Sequence, residues 1–146
     1  MIIPYFPVGK QPVLVEVADN IEPQELQNVM ETLVGGRLES AAFMDYRIFG
    51  WEDASFEGKP QNRGAIWGDF IVMKPIWEQP QPEEPFWTSE MYTGLEIGEA
   101  VSLVGMVDLH LPLVTPIEEG PPEVTTLGLE PVKFESLNLP KPKKRW

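Results

Sequence analysis

The chain has 146 residues, no cysteine and a formal net charge of -12 at pH 7. This length suits a single domain with a substantial core, and the lack of cysteine excludes disulfides, thiolate metal sites and cysteine nucleophiles. The 16 prolines are about twice the number expected at the average usage of ~5%, so many segments cannot lie inside a helix.

The first 12 residues alternate three prolines with apolar and aromatic side chains. Proline fixes φ and favours extended backbone before it. Two interpretations fit equally: an extended arm (1–12) that docks on a partner through Tyr5 and Phe6, or an N-terminal strand that covers the chain's own core. The segment has no basic stretch ahead of an apolar run, so we expect no signal peptide.

A short strand and a helix are predicted next. Residues 13–17 place three valines on one strand face. A helix over 23–34 has Pro23 in its first turn and Gly35 and Gly36 at its end. Its apolar stripe follows the i, i+3, i+4, i+7 spacing of a helix that packs on a sheet. The stripe consists of Leu26, Val29, Met30, Leu33 and Val34.

The middle of the chain is predicted to be mostly strand. Residues 38–50 favour a strand, with a helix as the alternative through Ala42. A polar loop with three glycines follows to residue 64. Residues 66–73 are apolar on both faces apart from Asp69, which predicts a central strand that Pro75 ends.

Residues 75–87 contain four prolines between Trp77 and Trp87. This composition predicts a semi-rigid connector of polyproline type. Tryptophans in extended segments are common at interfaces, so both are candidate interaction residues.

Residues 101–111 alternate like a half-buried strand, with Val101 and Leu111 at the two ends of its apolar face. In a strand, Asp108 and His110 would share the other face. A carboxylate beside an imidazole is half of many catalytic centres, yet the nucleophile would have to be Ser102 or another distant hydroxyl, and an exposed polar strand face explains the same pair. We therefore predict that the protein is not an enzyme.

The C-terminal part is predicted to hold a last strand near residues 132–139, followed by a basic tail (140–146). Four of the 11 basic residues of the chain are in the tail, which leaves a net charge of -16 on residues 1–140. Such an acidic body repels nucleic acid, apart from a contact made by the tail itself. We expect the tail to dock on an acidic surface, such as that of a neighbouring copy, through Lys143, Lys144, Arg145 and Trp146.

Together these elements predict a β-rich α+β fold: an antiparallel sheet, sandwich or barrel with one short helix and extended proline-rich arms. The expected organisation is an arm (1–12), one globular domain (13–139) and the tail (140–146). No stretch approaches the roughly 18 apolar residues of a membrane helix. Phosphate-binding glycine loops, H-E-x-x-H and EF-hand motifs are absent from the sequence, so we expect neither cofactor nor metal.

In overall make-up the chain resembles accessory virion proteins of tailed bacteriophages, the decoration, head–tail and baseplate components. These commonly combine a β-rich body with terminal arms and lack cysteine. The resemblance implies a structural protein that binds its own copies and other assembly proteins, located in the virion, or in the cytoplasm otherwise. The alternatives are a soluble β-rich module that binds a peptide, glycan or small ligand, and an acidic DNA mimic.

Overall fold

The computed structural model describes residues 1–78 and 88–117. They form eight strands and two helices in an α+β arrangement. In chain order the elements are β1 (Ile2–Phe6), β2 (Val13–Glu16), α1 (Pro23–Val34), β3 (Leu38–Phe43), β4 (Tyr46–Trp51), β5 (Gln61–Arg63), β6 (Ile66–Trp67), β7 (Phe70–Glu78), β8 (Thr88–Thr93) and α2 (Ile97–His110).

The main sheet is antiparallel, as the sequence predicts, with the strand order β2-β1-β7-β4-β3. The eighth strand, β8, pairs with the far half of β7, where Lys74 lies opposite Thr93. A bridge between Ile2 and Leu95 then connects the end of β8 to β1. The short strands β5 and β6 form a separate hairpin.

One helix covers each face of this sheet. The alternating side chains of β7 divide between two cores: Ile71 and Met73 pack with α1, and Phe70 and Val72 pack with α2. All four are fully buried, which confirms the prediction of a central strand at this position. A strand buried on both faces has to be apolar on both faces.

The prediction that Pro75 ends this strand is wrong, because β7 continues to Glu78. Pro75 lies opposite Tyr92 of β8, beyond the last pair that β7 makes with β4, Met73 with Arg47. Within the described residues β7 pairs here with β8 and no longer with β4, and proline is tolerated in a strand where its missing N–H is not needed for the ladder.

The helix predicted at 23–34 is confirmed, and its predicted apolar stripe is the buried side. Gly35 ends the helix at φ 103°, a left-handed conformation that glycine adopts without steric cost. The strand predicted at 13–17 is confirmed as β2, and the face with Val15 and Val17 packs against α1.

The N-terminal segment is a strand of the chain's own sheet, so the docking-arm interpretation is wrong for this part of the chain. Its strand, β1, lies between β2 and β7, and Phe6 is 1% exposed where it stacks on Phe70 at 4.7 Å between ring centroids. Tyr5 donates a hydrogen bond of 3.0 Å to Asp69. The φ that proline imposes is compatible with a strand, and apolar side chains on both faces of β1 place it inside the sheet.

The predicted strand at 101–111 is also wrong, because these residues form most of α2. The segment is apolar at nearly every position, so it fits helical spacing as well as strand alternation. In the structure the buried residues follow helical spacing. The fold therefore has two helices where the sequence predicted one. The residues of α2 that are buried on the sheet are Ala100, Leu103, Val104 and Val107.

Residues 38–50 form two strands, β3 and β4, instead of one, joined at Met44, which has φ 55°. The polar loop that follows contains β5 near its end. The prediction of a connector over 75–87 is wrong for residues 75–78, which belong to β7. The rest of that segment, residues 79–87, lies outside the described part. The predicted strand at 132–139 and the tail also lie outside it.

Two glycines near the start of α2 give a matched test of this packing. A Cβ at Gly94 would lie 2.6 Å from the backbone oxygen of Ile2, whereas a Cβ at Gly98 would meet open space. We expect Gly94→Ala to lower the free energy of unfolding by about 1–3 kcal/mol through overpacking. Gly98→Ala should instead raise it by about 0.5–1 kcal/mol, since alanine favours helix. Urea unfolding of both variants checks this; equal midpoints would show that the β1–β8 junction is not tightly packed.

Candidate protein-binding surfaces

The first candidate surface is the outer edge of β3, the last strand in the sheet order. Its pairing with β4 is continuous from Leu38 to Phe43. Within the residues that the structure describes, its other edge has no strand beside it. The four central residues, 39–42, are exposed. Their backbone groups on that side are free to pair with another strand.

This edge has none of the features that usually block strand addition. Natural edge strands carry lysine, proline or a bulge, or are very short. β3 has six residues without lysine or proline, its register does not shift, and its one charged residue is Glu39. The opposite edge strand, β2, has only four residues and ends in the exposed Glu16.

A groove of about 280 Å³ runs beside β3 on the sheet face that carries Ile48. Its walls include Ile66 and Trp67 of the small hairpin, and Trp67 is 42% exposed. Gly50 forms part of the floor, and a Cβ there would meet nothing within 4 Å. The groove therefore offers apolar contact next to a backbone edge.

The second candidate surface is the side of α2 that faces away from the sheet, called here the outer face of α2. At 3.6 residues per turn it spans roughly 140° of the helix circumference. It has no lysine or arginine and only one charged residue, although the exposed side of a surface helix is normally polar. Ile97, Val101 and Leu109 are 42%, 43% and 77% exposed. The face consists of Ile97, Gly98, Val101, Ser102, Gly105, Asp108 and Leu109.

The C-terminal end of α2 is held by the buried side chain of Arg63 in β5, and the neighbouring Asn62 is buried beside it. Asn62 donates to the backbone oxygens of Phe6 and Gly68 at 2.8 and 2.9 Å. The side chain of Arg63 is 3% exposed and contacts Asp108 at 2.8 Å, and its guanidinium lies 5.7 Å from the Phe6 ring centre. The backbone oxygen of Asn62 also accepts a hydrogen bond from Val114 at 2.9 Å, so the segment after α2 is fixed to the same hairpin.

The helical conformation of α2 separates Asp108 from His110, the pair that the sequence suggested as a possible catalytic pair. Residues i and i+2 of a helix point to different sides, so Asp108 and His110 do not share a face as they would in a strand. Asp108 pairs with Arg63. His110 makes an edge-on contact with Phe43 at 6.4 Å between ring centroids. The carboxylate therefore does not orient the imidazole.

The N-terminal end of α2 borders an acidic cavity of about 650 Å³. Glu99 accepts hydrogen bonds from Tyr46 at 2.9 Å and from Lys74 at 3.3 Å. Burial, reinforced by the hydrogen bond to Glu99, raises the pKa of Tyr46 to about 12. Three more carboxylates line the cavity, and one of them, Asp19, pairs with the amino group of Met1. Four carboxylates therefore face two positive groups, and the cavity is net negative. The three additional carboxylates belong to Glu16, Asp19 and Glu96.

The structure does not bring the predicted interaction residues together. Tyr5 and Phe6 are engaged inside the fold, as described above. Trp77 is in β7, but its side chain is outside the described part. The remaining predicted residues, Trp87, Lys143, Lys144, Arg145 and Trp146, also lie outside it.

Sequence reasoning did not single out β3 or the outer face of α2. A signal for β3 exists in its run of small residues without lysine or proline. A signal for α2 exists in its length, because strands are usually shorter than the 14 residues of this helix.

Neither described helix is long and apolar enough to cross a membrane. Among the described residues, no three histidines or carboxylates are grouped as a metal site requires. No family model, curated protein or solved structure matches the chain.

The contact between Arg63 and Asp108 gives a test of how α2 is held. Asp108→Asn leaves the buried guanidinium without its charged partner, and we expect a loss of about 1–3 kcal/mol in the free energy of unfolding, the range for a hydrogen bond to a charged group. Because Asp108 is 58% exposed, we expect the loss of unfolding free energy to lie towards the lower end of this range. Asp53→Asn removes the same charge from an exposed loop and should change stability by less than about 0.5 kcal/mol. Matching urea midpoints for the two variants would contradict a stabilising role for the pair.

Proposed function

We propose that the protein is a non-enzymatic structural component of a larger assembly, in which copies join through the open edge of β3. The observation that carries this proposal is the edge itself: six residues long, continuous in register, exposed at its centre and without a blocking residue. Separation of Asp108 from His110 supports the non-enzymatic part. The resemblance in make-up to accessory virion proteins of tailed bacteriophages indicates the kind of assembly that we propose.

A second copy is the occupant that the residues of β3 suit best. Antiparallel pairing about Ala41 places this residue opposite its counterpart, and Glu39 opposite Phe43. Residues directly opposite in such a pair lie on the same sheet face, and positions 39, 41 and 43 share one face of β3. The two copies therefore match face to face, and the two glutamates do not oppose each other.

Net charge works against this contact. Each copy carries -12, and like-charged bodies repel over a Debye length of about 30 Å at 0.01 M salt but only about 3 Å at 1 M. Association through β3 is expected to strengthen as salt is added. Pairing through charged groups of opposite sign would weaken under the same change.

Sedimentation equilibrium over a range of protein and salt concentrations tests the proposal. We expect a reversible dimer favoured by high salt, and Ala41→Lys should raise its dissociation constant severalfold or more, because two lysines then face each other across the pair. Gln27→Lys makes the same charge change on the exposed side of α1 and should leave the dimer intact or strengthen it.

Two results would contradict the proposal. One is a monomer at every concentration in high salt. The other is an Ala41→Lys variant that associates as well as the Gln27→Lys control, since the contact would then lie elsewhere on the molecule.

A further inference from the structure

The outer face of α2 is inconsistent with permanent exposure to water. A helix that is apolar or small around most of its circumference is normally buried on all sides. The sheet covers one side of α2. Its other side presents Ile97, Val101 and Leu109 with a central Gly105, a flat strip without a basic residue. Exposed apolar patches of this kind mark contact surfaces.

The chain itself supplies a segment of matching character. Residues 118–146 follow directly from the described part, and within them the stretch 132–139 carries four apolar side chains, Val132, Phe134, Leu137 and Leu139. Ser136 lies in the sequence between Phe134 and Leu137, in the middle of this apolar group. Eight extended residues span about 26 Å at 3.3 Å each, close to the roughly 21 Å of a 14-residue helix.

The place where the described chain ends makes this segment the nearest occupant. After α2 the backbone is fixed to β5, where Leu113 bridges Arg63, so it enters residues 118–146 near the C-terminal end of α2. The 14 residues from 118 to 131 reach at most about 50 Å. A tethered segment has a local concentration in the millimolar range, which favours the same chain over a second molecule.

The charge of the tail indicates the direction in which residues 132–139 run along α2. A segment that starts at the C-terminal end of α2 and returns along the helix delivers the basic tail, with its four positive charges, to the N-terminal end. That end borders the acidic cavity, where Glu96 and Glu99 are two of four carboxylates that face one lysine and the amino group of Met1. The opposite direction would carry the tail away from this cavity.

We propose that residues 132–139 bind across the outer face of α2 of the same chain, antiparallel to the helix, and place the basic tail at the acidic cavity. The exposed face of α2 is then an internal contact and not a surface for other proteins. This inference is independent of pairing through β3, and its failure would leave that proposal untouched.

The absence of cysteine from the chain allows a direct test with the full-length protein. Ser102 is exposed on the outer face, and Ser136 lies between Phe134 and Leu137 in the segment, so Ser102→Cys with Ser136→Cys changes two serines conservatively. Mild oxidation of dilute protein should give an intramolecular disulfide, seen as a monomer by mass spectrometry and non-reducing electrophoresis. A control pair, Gln27→Cys with Ser136→Cys, places one thiol on the other helix and should react much more slowly.

Each other outcome overturns the proposal. A disulfide-linked dimer from the Ser102 and Ser136 variant would show that a second copy occupies the face. Equal rates for the test and control pairs would show random collision. The absence of a disulfide would leave a foreign partner as the remaining occupant.

A second measurement does not depend on disulfide geometry. In a protein with Ser102→Cys alone, a bulky maleimide should react about tenfold more slowly than in a protein with Gln27→Cys alone, a factor equivalent to about 1.4 kcal/mol of protection. Adding Phe134→Asp and Leu137→Asp should restore the rate at position 102 without changing the rate at position 27. Equal rates at the two positions in the absence of these aspartates would contradict a covered face.

Discussion

The two-sided burial of β7 is the constraint on which the rest of the fold depends. Phe70 to Met73 are buried without exception, and successive side chains point to opposite faces. A sheet with such a strand at its centre requires a layer on both sides. With α1 supplying one layer, the chain needs a second amphipathic element, and α2 is the only other described segment long enough to provide it. The unusual composition of α2 follows from its place in this arrangement.

The same constraint explains which parts of the fold the sequence could predict. Local signals were sufficient for α1, where proline, glycine and a helical stripe agree, and for the buried part of β7, where residues 70–73 form an unbroken apolar run. They were insufficient for α2, because Val101 to Val107 fits two periodicities. The apolar character of both faces of β7 implies a second covering layer, and this tertiary requirement is absent from the local pattern of residues 101–111.

The burial of the two polar residues of β5 could not be predicted from the local sequence pattern. Asn62 and Arg63 lie between glycines and prolines in a stretch typical of a surface loop. Asn62 is buried because the carbonyl groups of Phe6 and Gly68 converge on its amide, and Arg63 because Asp108 lies above it. These partners are 6 to 56 residues away in the chain, and burial without them would be costly. Their arrangement depends on tertiary structure, and so does the loss of the pairing between Asp108 and His110.

The open edge at β3 has a geometric origin in the same three-layer arrangement. A helix about 10 Å across covers roughly two strands spaced 4.8 Å apart, and the five strands in line exceed that width. The buried core lies over β2, β1, β7 and β4, so neither helix shields the centre of β3. Pairing with a second copy would satisfy the backbone of β3 but leave both of its faces bare. Ser40, Ala41 and Ala42 suit this position, since side chains this small expose little apolar area on either face. The strand is therefore adapted to being extended by backbone pairing, in contrast to α2, whose large apolar side chains require a cover from above.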